Sequence, residues 1–131
     1  MSQTMIGYIT IGTNDFDRAV AFYDALLETI GIERLWKADA IAAWGPSREA
    51  PALCVTTPHD GDQATVGNGV MIALRVENQE AVQKLHAKAI ALGGTDEGAP
   101  GPRGKGGFYG GYFRDLDGNK LNAYLPASRV S

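Results

Sequence analysis

Apolar residues recur along this chain at two spacings, and the change from one to the other marks its elements. From Met5 to Thr13, β-branched residues alternate with other types, the period of a strand. Gly12-Thr-Asn-Asp15 breaks that alternation, and Asp15 (or Asn14) is a short polar residue suited to cap a helix, with Asp17 in the first turn where negative charge suits the dipole. Ala19, Phe22, Tyr23, Leu26, Leu27 and Ile30 follow at spacings of three and four, which predicts a helix that buries this stripe and stops at Gly31. Ile32 to Lys37, Ala40 to Trp44 and Ala52 to Thr57 read as three strands, with a turn over Ser47 to Pro51 and a polar loop over Pro58 to Gly69.

The order then repeats. Val70 to Val76 reads as a strand, Asn78 as a cap, and Val82, Leu85, Ala89 and Leu92 as a helical stripe ended by Gly93-Gly94. A short strand over Thr95 to Glu97 leads into a Gly- and Pro-rich loop, Gly98 to Gly107, that carries Arg103 and Lys105. Tyr109 to Asp115 and Lys120 to Leu125 form a hairpin around Asp117-Gly118. A shift of 63 positions places Asp15 on Asn78, Asp17 on Glu80, Phe22 on Leu85 and Gly31 on Gly94. Matched caps, apolar positions and stops point to duplicated βαβββ units. The expectation is an α+β domain over residues 1–131, with module one at about 1–60 and module two at about 67–128. Their sheets would form a half-barrel cup with the helices outside.

In the last strand Leu121, Ala123 and Leu125 form one row, suited to packing on a helix, while Lys120, Asn122 and Tyr124 form the other, which needs a surface that tolerates polar groups. Composition adds limits. The chain has 131 residues, 44% hydrophobic and 21% charged, enough to bury a core. A net charge of −3 argues against nucleic acid or a membrane surface as partner. Cys54 is the one cysteine, so neither an internal disulfide nor a cysteine-based zinc site can form. Met1 to Gly7 lacks a basic segment followed by a long apolar run, so a cytoplasmic protein is expected.

The chain resembles the glyoxalase/bleomycin resistance protein/dioxygenase (vicinal oxygen chelate) superfamily. The resemblance is carried by Phe22-Tyr23, Gly67-Asn-Gly-Val70, the run from Gly93 to Gly101, and Phe113-Arg-Asp-Leu-Asp-Gly-Asn119. It implies paired βαβββ modules, homodimers, and a divalent metal held by two His and a Glu. Those ligand positions here are Tyr8, Met71 and Asn122. A phenol, a thioether and a carboxamide are poor ligands for a catalytic dication, so a metal-free site with no cofactor is expected. His86 and His59 fall outside the expected strand faces and read as structural or surface residues.

What remains is an aromatic, weakly polar pocket for a small organic ligand. Its candidate wall is Tyr8, Thr10, Trp44, Met71, Ala73, Arg75, Arg103, Tyr109, Tyr112, Asn122 and Tyr124, although Tyr109 and Tyr112 have opposite parity and cannot both point inward. Tyr8 is the one candidate for acid–base catalysis. The alternatives are a metal-dependent lyase, isomerase or dioxygenase of the same superfamily, and a non-catalytic remnant whose cup is filled by side chains.

Overall fold

Each half of the chain lays one helix on one four-stranded sheet, in a computed structural model that describes residues 5–130. Residues 1–4, on which part of the N-terminal reading rests, and residue 131 lie outside the described residues. The chain divides into two compact units between Thr65 and Val66, and neither sheet closes on itself.

In the first unit, β1 (Tyr8–Gly12) leads to α1 (Phe16–Glu28), then β2 (Glu33–Lys37), β3 (Ile41–Gly45) and β4 (Ala52–Thr56). The strand order is β1-β4-β3-β2, with β1 parallel to β4 and the other pairs antiparallel. The Asp15 carboxylate accepts from the Arg18 amide at 3.2 Å and starts α1. Ala19, Phe22, Tyr23, Leu26 and Leu27 are buried as the spacing predicts, against a sheet face that includes Trp44, Leu53 and Val55. Burying each large side chain of this kind contributes about 1.5–3 kcal/mol.

The second unit repeats the plan: β5 (Ile72–Arg75), α2 (Gln79–Ala91), β6 (Thr95–Arg103), β7 (Phe108–Arg114) and β8 (Lys120–Leu125), in the order β5-β8-β7-β6, then a short 3-10 turn at Ala127–Arg129. A shift of 63 superimposes α1 on α2 at both ends, and Asn78 caps α2 through its Ala81 contact at 2.8 Å. The helix stops differ. The left-handed residue is Gly31 after α1 but Gly93, not Gly94, after α2. Gly94 is needed for a different reason: a Cβ there would sit 2.6 Å from the Arg114 carbonyl oxygen.

Three strands differ from the sequence reading by more than one residue at an end. β1 and β5 are shorter than expected, and Met71 precedes β5 rather than lying in it. β6 runs to Arg103, so most of the expected Gly98–Gly107 loop is strand and only residues 104–107 connect it to β7. β6 lies at the sheet edge, the position where a strand tolerates residues such as Pro100 and Pro102 that lack an N–H, and its register slips near Gly98. The β7–β8 turn is wider than a two-residue hairpin. The buried Asp115 carboxylate accepts from the backbone N–H groups of Asp117 and Asn119, each at 2.9 Å, and from the Asn119 side chain at 3.0 Å. That engagement makes Asp115 a turn residue, just beyond the end of β7.

Candidate functional site

Register decides which strand residues face the helix and which face away. In the first unit Tyr8 opposes Ala52, Thr10 opposes Cys54, and Cys54 opposes Ala43, so these share the face opposite α1. Trp44 has the other parity. It is 1% exposed, its Nε1–H donates to Asp24 Oδ1 on α1 at 2.9 Å, and its ring meets Tyr23. Trp44 is therefore a core residue and not the wall residue that its aromatic character suggested. The other indole takes that place. A register shift between Arg34 and Trp36 breaks the alternation of β2 and turns both Leu35 and Trp36 to the face away from α1.

Those side chains border a cavity of about 310 Å³. Its walls are Gly7 and Tyr8 from the β1 edge, Leu35 and Trp36 from β2, Ile41 from β3, and Ala52 and Cys54 from β4; Arg48 and Ala50 close it from the β3–β4 turn. Burial pushes the Cys54 thiol up, so at neutral pH it is a protonated, apolar wall atom. Among the described residues that line the cavity Arg48 is the one charged side chain, and its Nη2–H donates to the Leu35 carbonyl at 3.0 Å. Sequence reasoning found Tyr8 here and missed the rest. Alternation along β4 carried part of the signal, because Ala52 and Cys54 interleave with Leu53, which packs in the core. The β2 bulge has no signature readable from the sequence.

In the second unit, Asn122 opposes Tyr112 on β7 and Ala73 on β5, and Tyr124 opposes Arg75. These residues share the face opposite α2. Tyr109 lies on the helix side, where its hydroxyl accepts from Gln83 Nε2–H at 2.9 Å. Of the two tyrosines of opposite parity, Tyr112 therefore takes the open face. Arg103 Cζ and Lys120 Nζ stand 5.2 and 5.4 Å from the Tyr112 ring centroid. Phe108 and Tyr124 meet edge to face beside them. Asn122 is 3% exposed, and its buried Oδ1 has no hydrogen-bond partner among the described residues.

The histidines sit elsewhere. His86 is buried on α2, with Nε2 3.0 Å from Asp96 Oδ1 and 3.2 Å from the Tyr112 carbonyl oxygen. Both partners are acceptors, so Nε2 carries the proton. The Gly98 N–H, first, and His86 hold the Asp96 carboxyl below its usual range. His59 is exposed in the loop after β4. Among the described residues no three His, Cys, Asp or Glu side chains converge.

Residues 5–123 match the glyoxalase/bleomycin resistance protein/dioxygenase superfamily. The chain belongs to that superfamily. Solved structures agree with the assignment. A glyoxalase/bleomycin resistance protein from Albidiferax ferrireducens T118 is 36% identical and superimposes with a TM-score of 0.85, over 93% of this chain and 98% of its own. A family enzyme from Burkholderia phytofirmans PsJN, at 19% identity, covers 92% of this chain and 97% of its own with a TM-score of 0.72. A lactoylglutathione lyase from Agrobacterium tumefaciens, at 20% identity, covers 95% of each chain with a TM-score of 0.67. At those lower identities the likeness is one of fold. No curated protein matches the chain. In this superfamily member, no helix among the described residues is long and apolar enough to cross a membrane.

Proposed function

We propose that this superfamily member binds a small organic molecule without a divalent metal, in the cavity over β1, β4, β3 and β2. The carrying observation is the cavity itself: about 310 Å³, aromatic and aliphatic on its walls, with one cation, Arg48, at its rim. Such a site suits a ligand with an apolar body and one acidic group. Tyr8 contributes wall area and a hydroxyl. The superfamily's metal positions support the metal-free part of the reading. Tyr8 is 66% exposed, Met71 is 39% exposed and outside its strand, and Asn122 offers one neutral oxygen. None carries the charge that offsets the cost of stripping water from Mg²⁺, Mn²⁺, Zn²⁺ or Ni²⁺.

The test uses 1-anilinonaphthalene-8-sulfonate, an apolar aromatic anion, followed by its own emission and by quenching of Trp36. One equivalent should bind with the same affinity before and after chelator treatment. Arg48→Gln should weaken binding by about tenfold, the usual scale for a charge-assisted contact. Ala52→Phe, which fills the cavity, should abolish it. Equal binding to all three proteins, or binding that needs added metal, would overturn the reading. Pairing into a homodimer is proposed from superfamily membership alone, and sedimentation at twice 13.9 kDa checks it.

A further inference from the structure

The helix-free face of the second sheet is cationic, and it holds a buried polar atom that none of the described residues satisfies. Arg103 is fixed before any ligand arrives: its Nε–H donates to the Gly110 carbonyl at 3.1 Å and its Nη2–H to the Ala99 carbonyl. These partners are neutral, so they orient the guanidinium without cancelling its charge. Lys120 reaches the same Tyr112 ring, so two like charges stand beside one aromatic side chain. Arg75 adds a third cation on this face, opposite Tyr124. Arg114 is already engaged, 3.0 Å from Glu97. Asp96 lies close enough to Arg103 to feel its charge, but its carboxylate is held by Gly98 and His86. Among the described residues neither Arg103 nor Lys120 pairs with a carboxylate at ion-pair distance.

Asn122 lies between these groups in register, flanked by Lys120 and Tyr124 on its own strand and opposite Tyr112. Leaving a buried acceptor unpaired costs about 1–3 kcal/mol, so this atom favours an occupant that donates a hydrogen bond. The surrounding charge disfavours a cation in that role. We infer that this face is an anion site for a small oxyanion that also bears a hydroxyl, its charge held by Arg103 and Lys120 and its O–H donated to Asn122 Oδ1. The residues of this site all come from the second unit and those of the cavity from the first, and the binding tests of either can fail without the other.

Two matched pairs of probes isolate the hydroxyl. Phosphate keeps an O–H at neutral pH and sulfate has none; glycolate has a hydroxyl that acetate lacks. Each is titrated into the isotope-labelled full-length protein at constant ionic strength, following the Arg103 Nε–H and the Asn122 side-chain amide by NMR. Saturable shifts at these groups are expected, with the hydroxyl-bearing member of at least one pair bound about tenfold more tightly. The pair that shows this preference says whether the natural group is a phosphate or a hydroxy carboxylate. Arg103→Met and Lys120→Met should each weaken binding about tenfold. Asn122→Ala, with its fold checked in the same spectra, should erase the preference within a pair. Shifts that rise without saturating at every cation, saturation at Arg48 instead, or no preference in either pair would overturn the inference.

Discussion

Asp96 joins the second helix to its sheet through one carboxylate, which takes the Gly98 N–H at 2.9 Å and His86 Nε2 at 3.0 Å. Its folded pKa lies below the unfolded value of about 3.9. The stabilisation is therefore complete above that value and fades as pH falls through the lower, folded one. Asp96→Asn should lower the melting temperature at pH 7, and the gap to the parent should close below about pH 4. A gap that does not change with pH would show that the charge is irrelevant. His86 shows what could be read at this scale. Its position outside the expected strand faces left a structural or a surface role open, and its burial against Asp96 makes it structural. Trp44 shows the limit. Its aromatic character suggested a wall residue, but its register opposite Leu53 turns it to the helix side, where Asp24, twenty positions earlier, accepts its N–H.

At the level of elements, the two helices were the most legible parts of the chain because cap and apolar stripe agree in both. Asp15→Ala and Asn78→Ala should each cost about 1 kcal/mol, measured by denaturant unfolding with unchanged slope. A loss well under half that would mean the first turns are held from elsewhere. The strands were harder to read. Gly98-Ala-Pro-Gly-Pro102 looked like a loop because Pro and Gly are poor strand formers, yet an edge position asks little of backbone donors. The β2 irregularity was invisible for a related reason. A bulge is set by how two strands meet, and the composition of Arg34 to Trp36 does not encode it.

For the whole molecule, the duplicated βαβββ plan was legible from a single offset, and the superfamily resemblance read from motifs such as Phe113 to Asn119 agrees with the match over residues 5–123. The candidate sites were legible only in part. The net charge of −3 hides a local excess of Arg and Lys on one sheet face, because composition averages over surfaces that the fold separates. A resident divalent ion would bind the native chain and not the unfolded one, and would raise the melting temperature by mass action. Adding Ni²⁺, Zn²⁺ or Mn²⁺ at about a hundredfold over the protein should leave the midpoint unmoved, as should prior chelation. A rise of several degrees with any of them would restore the metal reading.

The prolines of β6 also bear on how copies of this chain can meet. A free strand edge invites another chain to dock along it by backbone pairing, the first step towards ribbons and fibrils. Pro100 and Pro102 carry no amide hydrogen, and the register slips beside them spoil the straight run such docking requires. That border of the second sheet is therefore a poor template for strand addition, and a pairing of two copies along it has to use side-chain surfaces instead.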